Sequence, residues 1–237
     1  MQTVLITGAS RRLGLFLTRA FLDDGFRVIA LTRSPGTELN ALACDSLQII
    51  ETDYGCQASL QSAVEHIRQS SSSLRLLVHN ASLFEKDAVH ADDLYRFYDA
   101  LYAVHMKLPA FLNESLGDLL HCEEDPGCIV HMTDIYAENP NPAFGLYCST
   151  KAGLENLNKT YAKKYAPGIR VNAIAPGPLM FLPDHSAEDK AAVFSETLIK
   201  VESGFHPILQ GIRFILDNRF ITGTTLKIDG GRSIGKL

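Results

Sequence analysis

The feature that most constrains the fold is a repeated alternation of short apolar runs with segments whose apolar residues recur at helical spacing. The runs are almost entirely apolar, as expected for strands that are covered on both faces of a sheet. This alternation predicts an α/β fold with a doubly wound parallel sheet. The predicted strands are residues 4–6, 28–31, 47–50, 76–79, 129–132, 171–174 and 226–228. The predicted helices are residues 13–22, 60–68, 94–120, 147–165 and 205–216.

Length and composition indicate one domain. At 237 residues the chain is longer than most domains, but α/β folds of this length are commonly a single unit. The stretch richest in small polar residues, 69–73, fits a surface loop between a helix and a strand. We therefore expect a single domain over residues 1–237, in which residues at about 178–200 form a mobile lid over the substrate.

Charge and cysteine usage exclude several classes of partner. A net charge of −5 argues against a nucleic-acid partner, because such binding normally needs a basic excess. No apolar run approaches the length that spans a bilayer, and the first strand begins too early to leave room for a signal peptide. The five cysteines lack metal-ligand spacing and are expected to be free thiols. The predicted protein is cytoplasmic, binds no metal and has no membrane partner.

The loop after the first predicted strand has the pattern of a phosphate site. Residues 7–14 read Thr-Gly-Ala-Ser-Arg-Arg-Leu-Gly and lead into the first helix. Its glycines permit a tight turn and close packing of helix on sheet, and amides at the helix start can bind a phosphate. A simple strand-to-helix turn would not explain two adjacent arginines. The pattern favours a dinucleotide site in a Rossmann fold, with these residues at the cofactor: Gly8, Arg11, Arg12, Leu13 and Gly14.

The end of the second strand distinguishes the two nicotinamide dinucleotides. NAD sites place an Asp or Glu about 20 residues after the glycine loop, to bind the ribose 2′-hydroxyl. This chain has Arg33 instead, which with Arg11 or Arg12 can clamp a 2′-phosphate. NADP(H) is therefore the expected cofactor, although Arg33 could also be a solvated loop charge. Asp53, after the third strand, is expected to accept a hydrogen bond from the adenine amine.

Two further strand ends carry small residues that suit a flat cofactor. Asn80, Ala81 and Ser82 follow the fourth strand, where Asn80 can brace the crevice. Pro176 and Gly177 close the sixth strand, where a fixed turn can hold the nicotinamide end. Because ligands bind in the crevice at the carboxyl ends of the strands, we expect all five residues to contact the cofactor.

The candidate catalytic residues are Asp134, Tyr147 and Lys151. Tyr147 and Lys151 stand four residues apart, which places them on one face of a helix, one turn apart. A phenol has an ordinary pKa of about 10, and an adjacent ammonium is expected to lower it toward the working range. Asp134 ends an apolar run that reads as a buried strand, and its carboxyl group can meet the tyrosine at the mouth of the sheet.

These motifs together resemble the short-chain dehydrogenase/reductase family over essentially the whole chain. The matching set is residues 7–14, residues 80–82, Tyr147 with Lys151, and residues 176–177. The common family pattern has a third glycine in the first loop and a serine ahead of the tyrosine, where this chain has Arg12 and Asp134. Both departures resemble the pteridine reductase branch. Residues 79–82 and 131–134 resemble, within it, the bacterial dihydromonapterin reductases, which also show dihydrofolate reductase activity.

The resemblance implies a reaction and a set of roles. NADPH would deliver hydride to the carbon of a C=N bond in a dihydropterin, 7,8-dihydromonapterin or dihydrofolate, giving the tetrahydro form. Tyr147, with Lys151 and Asp134, would supply a proton, and Lys151 would also hold the nicotinamide ribose. The residues implied to contact the pterin are Arg12, Ser82, Phe84, Asp134, Tyr147 and Leu179. A homotetramer, assembled through residues 94–120, 147–165 and the last strand, is implied in the same way.

Some alternatives stay open at this point. His105 takes the place of an Asn that many family members have in the central helix, so it either joins a proton relay or is a buried structural histidine. Phe84 either covers the pterin or packs in the core. An ordinary carbonyl reductase acting on a 3-oxoacyl thioester is the runner-up function, disfavoured by Asp134 and Phe84. An NADP(H)-binding regulatory protein without catalysis is disfavoured by Tyr147 and Lys151.

Overall fold

All seven predicted strands are present in one parallel sheet. This computed structural model describes residues 1–182 and 185–235. The strands are β1 (Thr3–Thr7), β2 (Arg27–Thr32), β3 (Leu47–Glu51), β4 (Leu76–His79), β5 (Gly127–Met132), β6 (Ile169–Pro176) and β7 (Thr225–Ile228). Their order is β3-β2-β1-β4-β5-β6-β7, and every neighbouring pair is parallel. Each observed strand contains the predicted one, so the predicted doubly wound sheet is confirmed.

The helices lie between the strands, as the alternation predicted. Within the described residues they are α1 (Arg12–Asp23), α2 (Gly36–Asn40), α3 (Gln57–Ser70), α4 (Leu94–Tyr102), α5 (Leu108–Leu120), α6 (Gly145–Tyr165), α7 (Ala187–Ser195) and α8 (His206–Asp217). The short α2 was not predicted. Helix α7 lies in the predicted lid and starts with a capping box, in which Ser186 and Asp189 each bond the other's backbone amide. Residues 183 and 184 of that lid lie outside the described residues.

The segment predicted as one helix, residues 94–120, is helical throughout, but a π-helical turn interrupts its regular bonding. Helix α4 ends at Tyr102, the turn covers Ala103–Lys107, and α5 begins at Leu108. Pro109 has no N–H to donate to the carbonyl of His105, so regular helical bonding cannot continue through this point. The side chain of His105 is buried, with 1% of its surface exposed.

Both faces of the sheet are buried, which explains the unbroken apolar strands. Val4 and Ile6 point into a cluster with residues of α1 and α8, whereas Leu5, between them, points into a cluster with residues of α3, α5 and α6. The strand order changes direction between β1 and β4, which opens a crevice at the carboxyl edge of the sheet. Across residues 1–182 and 185–235, no helix combines the length and apolar character needed to cross a membrane.

Candidate active site

The loop after β1 is held against the loop after β4. Gly8 has a φ of +66°, and a Cβ atom there would lie 2.7 Å from the Cα of Ala81, so only glycine fits. The Asn80 side-chain amide donates to the carbonyls of Thr7 and Gly8 at 3.0 and 3.1 Å. The backbone amides of Asn80 and Ala81 both donate to Thr7 Oγ1 at 3.0 Å. Asn80 thus braces the crevice through bonds to the glycine loop itself.

Two further residues fix this loop. A Cβ atom on Gly14 would lie 2.1 Å from the carbonyl oxygen of Gly8, so helix α1 packs closely there only because residue 14 is glycine. Tyr54, which the sequence did not single out, donates its hydroxyl to the Leu31 carbonyl at 2.8 Å and accepts from the Gly8 amide at 3.0 Å. Burial raises the pKa of Tyr54 to about 12, so this hydroxyl stays a donor at neutral pH. The Gly8 amide is thus already bonded within the protein.

Arg12 adopts the backbone conformation that glycine favours. Its φ of +48° is the only positive value at a non-glycine residue in the described parts of the chain. Its Nη2 donates to the carbonyl of Met180 at 2.9 Å, and its guanidinium carbon lies 5.8 Å from the centre of the Phe205 ring. Arg12 therefore joins the glycine loop to the start of the predicted lid. Its neighbours differ in role, because Arg11 is exposed ahead of α1 and Leu13 packs against the core.

A cavity of about 510 Å³ lies beyond the ends of β2 and β3. It is lined by Arg33, Glu51, Thr52, Asp53 and Ser59. The two residues predicted to bind the adenosine half of the cofactor, Arg33 and Asp53, therefore line the same cavity. Asp53 also has a turn role, because its Oδ1 accepts from the Gly55 amide at 2.9 Å.

Asp134 and Tyr147 meet at the carboxyl edge of the sheet. The Tyr147 hydroxyl donates to Asp134 Oδ2 at 2.8 Å. The other carboxylate oxygen, Oδ1, accepts from the backbone amide of Tyr136 at 2.8 Å, which caps the short 3₁₀ turn Ile135–Ala137. Burial raises the pKa of Asp134, and the bonds from these two donors offset part of that rise. The predicted convergence of the strand-end carboxyl group and the helical phenol is present.

Lys151 lies beside this pair but its hydrogen bond goes elsewhere. It is buried, its Nζ donates to the carbonyl of Met132 at 2.7 Å, and Nζ lies 5.6 Å from the centre of the Tyr147 ring. Burial lowers the pKa of Lys151 to about 8. Burial also raises the pKa of Tyr147 well above its usual value, and the charge of Asp134 adds to the rise. The expected lowering of the tyrosine pKa toward the working range is therefore not met, because burial and Asp134 raise that pKa, and Tyr147 is a neutral phenol that donates to a carboxyl group.

His105 connects the loop after β4 to helix α6. The Thr150 hydroxyl donates to the Tyr147 carbonyl at 2.8 Å, so it must accept from His105 Nδ1, also at 2.8 Å. In the neutral ring Nε2 is then an acceptor, and it receives bonds from the Ser82 hydroxyl at 2.9 Å and the Leu83 amide at 3.3 Å. Burial holds the pKa of His105 well below its usual value. Both ring nitrogens are thus bonded within the protein, as expected for a buried structural histidine.

An exposed aromatic surface stands next to Tyr147. The Phe84 side chain is 51% exposed, so the alternative hypothesis that it packs in the core is excluded. Its ring stacks on Phe144 with 4.4 Å between centres and 7° between planes, and packs edge-to-face with Tyr147 with 4.8 Å between centres. Tyr136 lies on Phe144 in turn, 6.3 Å between centres. We call Phe84, Phe144 and Tyr136 the aromatic wall; the sequence indicated only its first member.

The remaining predicted residues lie around the same crevice. Pro176 is the last residue of β6, paired with Ile228 of β7. A Cβ atom on Gly177 would lie 2.7 Å from the Cα of Asp229, so this glycine allows the loop after β6 to pass the loop after β7. Leu179, at the start of the predicted lid, is partly buried against the core.

A motif profile of the short chain dehydrogenase family matches residues 2–189, which is most of the chain. The chain belongs to the short-chain dehydrogenase family. Both the loop after β1 and the Asp134–Tyr147–Lys151 group lie inside the matched region. This family member is therefore an oxidoreductase with a nicotinamide cofactor, as the sequence predicted.

This short-chain dehydrogenase is similar over nearly its whole length to curated bacterial relatives. The dihydromonapterin reductase of Klebsiella pneumoniae is 30% identical over an alignment of 239 residues, which covers 98% of this chain and 97% of the relative. The dihydromonapterin reductase of Escherichia coli O6:K15:H31 is 30% identical over an alignment of 237 residues, which covers 98% of this chain and 96% of the relative. The resemblance stated from the sequence motifs is confirmed at the level of whole chains.

Solved structures give the same result. The alternative dihydrofolate reductase 1 (FolM) of Brucella suis, in complex with NADP, superposes with a TM-score of 0.86 at 30% identity, covering 99% of this short-chain dehydrogenase and 96% of that chain. A 4-hydroxyisoleucine dehydrogenase complexed with NADH reaches a TM-score of 0.90, but at 23% identity, with full coverage of both chains. The latter likeness shows the shared fold alone.

Proposed function

We propose that this protein is an NADPH-dependent reductase of dihydropterins, with 7,8-dihydromonapterin and dihydrofolate as substrates. The reaction adds a hydride to the carbon of a ring C=N bond and a proton to its nitrogen. The observation that carries the proposal is the 2.8 Å hydrogen bond from Tyr147 to Asp134 beside the exposed ring of Phe84. A carboxylate can accept from the N–H groups of an aminopyrimidinone, whereas a ketone offers it no donor.

The relatives support the same substrate class. Full-length relatives at 30% identity bear the name dihydromonapterin reductase, and the Brucella structures at 30–31% identity bear the name alternative dihydrofolate reductase. Because the likeness covers almost the whole of each chain, it includes both the cofactor half and the substrate half of the crevice.

The residues of the crevice fit NADP(H). The close packing of Gly8 and Gly14 brings the backbone of the first loop to the edge of the sheet, and Arg33 lines the cavity at the adenosine end. Arg33, with Arg11 or Arg12, would pair with the 2′-phosphate, and Asp53 would accept from the adenine amine. When bound, NADPH supplies the hydride. The Brucella alternative dihydrofolate reductases were solved in complex with NADP, the dinucleotide that carries a 2′-phosphate, which supports NADP(H) as the cofactor.

The three catalytic residues would divide the proton chemistry among them. Tyr147 keeps its proton in the resting protein, because burial and Asp134 both oppose its loss. That proton would pass to the substrate nitrogen, directly or through water. Asp134 would orient the phenol and pair with the pterin edge. Lys151, with its pKa near 8, carries a positive charge at neutral pH that favours the phenolate left behind, and it would also hold the nicotinamide ribose.

The aromatic wall gives the substrate its stacking surface. Phe84 would cover one face of the pterin while the nicotinamide covers the other. The Phe144 ring stacks on the Phe84 ring, with 4.4 Å between their centres. Arg12, Ser82 and Leu179 complete the proposed substrate contacts, at the loop after β1, the loop after β4 and the start of the lid.

A substrate panel tests the proposal. Purified protein would be mixed with dihydromonapterin, dihydrofolate, dihydrobiopterin or an acetoacetyl thioester, each with NADPH and with NADH, and cofactor oxidation followed. We expect turnover with NADPH and the dihydropterins. Turnover of the thioester alone would instead establish a carbonyl reductase, and NADPH binding with no turnover would establish a regulatory protein.

We also propose a cytoplasmic homotetramer. All five cysteines are free thiols, as in a reducing compartment. Helix α4 carries exposed apolar side chains that a partner subunit would cover: Leu94, Tyr95, Tyr98 and Tyr102. Light scattering on the purified protein would measure the mass, and a value of one chain would reject this assembly.

A further inference from the structure

Helix α6, which carries Tyr147, begins without a side-chain cap of its own. The residue at its N-cap position is Phe144, whose side chain cannot accept a hydrogen bond. The first backbone amides of a helix have no partner within the helix, so they need one from elsewhere. Asp87, at the start of the 3₁₀ turn after β4, supplies it: its Oδ2 accepts from the Leu146 amide at 3.2 Å. This bond joins two different elements of the fold.

The start of α6 is shaped to receive this carboxyl group. A Cβ atom on Gly145 would lie 3.2 Å from Asp87 Oδ2, a tight contact, so glycine there lets the carboxyl group approach the helix. A negative charge is favourable at this end, because a helix N-terminus carries a partial positive charge. Helices α4 and α7 are capped differently, by their own N-cap residues Asp93 and Ser186. The cap of α6 instead comes from a distant part of the chain.

The bond between Asp87 and α6 carries a cost in stability. Within residues 1–182 and 185–235, the second carboxyl oxygen, Oδ1, is buried and has no hydrogen-bond partner. An unpartnered oxygen of a carboxyl group loses the hydrogen bonds that water would give it. A carboxyl group that served stability alone would have both oxygens bonded or in water. The bond is therefore better explained by the two segments that it holds together.

Those two segments form the substrate side of the crevice. Phe84 precedes Asp87 in one segment, and Phe144 precedes Leu146 in the other; their rings stack with 4.4 Å between centres. Tyr147 directly follows Leu146, and its ring packs edge-to-face with Phe84, with 4.8 Å between centres. The Asp87–Leu146 bond and the ring stack therefore join the same two segments, next to the proton donor.

We propose that Asp87 is a positioning residue that fixes the distance between the ring of Phe84 and the phenol of Tyr147. A dihydropterin stacked on Phe84 then presents its ring nitrogen to the phenol at the separation that proton transfer needs. This consequence for turnover rests on the proposed function, whereas the effect of Asp87 on the two rings does not.

The primary readout needs neither substrate nor cofactor. The ring current of Phe84 shifts the resonances of the adjacent Tyr147 ring, which would be observed by NMR in protein labelled with ¹³C in its tyrosine rings. Y147F assigns the resonance, and F84L gives its position without the neighbouring ring. D87A should move it toward the F84L position, and D87N, which retains an acceptor oxygen, should keep it near the wild type. An unchanged Tyr147 resonance in D87A overturns the proposal.

Asp93 provides a matched control for a purely structural cap. It lies at the other end of the same 3₁₀ turn, and its Oδ1 accepts from the Arg96 amide at 3.1 Å to cap α4. D87A and D93A should each lower the Tm by about 2–4 °C, the usual effect of a lost cap in a domain of this size. Only D87A should move the Tyr147 resonance; an equal movement in D93A overturns the proposal. If D87A does not fold, D87S provides the same comparison.

Steady-state kinetics link the geometry to turnover. D87A should raise KM for dihydromonapterin by roughly 2- to 10-fold, the range expected for a weakened aromatic stack, and should also lower kcat. The Kd of NADPH, measured by fluorescence titration, should stay close to the wild type, and D87N should restore both kinetic constants. Equal kinetic losses in D87A and D93A would assign the effect to lost stability and overturn the proposal. If the wild-type protein reduces no dihydropterin, the proposed function fails, and the NMR comparison still decides the role of Asp87.

Discussion

A single proton, on the oxygen of Tyr147, is central to the proposed chemistry. Because burial and Asp134 hold the tyrosine neutral, its hydroxyl is a proton donor beside the aromatic wall, and the Tyr147 ring centre lies 4.8 Å from that of Phe84. We expect Tyr147→Phe and Asp134→Asn each to lower kcat for dihydropterin reduction by roughly 10²–10⁴-fold, the usual contribution of general acid–base catalysis. NADPH affinity, measured by fluorescence titration, should change far less.

A tyrosine at the other end of the same helix provides the matched control. Tyr165 donates its hydroxyl to the Asn113 carbonyl at 2.9 Å, far along α6 from the crevice, so Tyr165→Phe should leave kcat close to the wild type. Wild-type rates in both Tyr147→Phe and Asp134→Asn would show that another group supplies the proton.

The choice between NADPH and NADH should depend on Arg33. A charge-assisted hydrogen bond contributes about 1.5–3 kcal/mol, so Arg33→Ala should raise KM for NADPH by roughly 10- to 100-fold and leave KM for NADH almost unchanged. Arg19, exposed on the outer side of α1, provides a control arginine whose replacement should alter neither value. Equal losses with both cofactors would mean that Arg33 contacts a part they share.

At the level of elements, the contact between α1 and the loop after β1 depends on Gly14, because glycine has no side chain. A Cβ atom on Gly14 would lie 2.1 Å from a backbone oxygen, and backbone cannot move aside cheaply. Gly14→Ala should therefore cost roughly 1–3 kcal/mol or more of unfolding free energy, measured by urea denaturation. Gly55→Ala is the matched control, because its Cβ atom would come no nearer than 3.4 Å to any atom. Equal stability of the two variants would contradict this packing.

Elements whose signal is local were predictable. The strands were found because their apolar runs need burial on both faces, and the glycine loop because Gly8 and Gly14 have no substitute. The π-helical turn was not predicted, because its only local signal is Pro109, which itself lies in a helix and leaves the carbonyl of His105 without an amide donor.

Side chains that act through non-local contacts were out of reach of the sequence. Tyr54 and Phe144 come from different elements and acquire their roles only when the fold brings them to the crevice. The ionisation of Tyr147 was mispredicted for a related reason. Spacing along a helix places Lys151 nearby but cannot show that its hydrogen bond goes to Met132, or how deeply the phenol is buried.

On the scale of the whole molecule, a chain of polar side chains crosses the apolar interior. His79 Nε2 lies 2.8 Å from Asn113 Oδ1, and Asn113 Nδ2 lies 3.3 Å from His131 Nε2. His131 Nδ1 in turn lies 3.4 Å from Asn158 Oδ1. The two imidazoles stack with 5.0 Å between centres across the paired strands β4 and β5. Burial lowers the pKa of His79 to about 4 and that of His131 well below its usual value. The folded protein therefore requires both rings to be neutral.

This requirement predicts the pH dependence of stability. Between pH 6.5 and about 4 the unfolded chain protonates His79 while the folded protein does not, so stability is complete above pH 6.5 and declines as the pH falls. Each such histidine can contribute a slope of up to about 1.4 kcal/mol per pH unit. Asp134 contributes in the opposite sense, because its pKa is raised in the fold, so variants must be compared with the wild type.

Urea denaturation at pH 7.5, 6.5 and 5.5 would measure this slope. We expect His79→Asn to be less stable than the wild type at pH 7.5, because it disturbs the buried chain, yet to lose less stability on acidification. His66→Asn, at an exposed position of α3, should keep the wild-type slope. A wild-type slope in His79→Asn would mean that protons enter the interior without unfolding it, and that the neutral rings are no requirement of the fold.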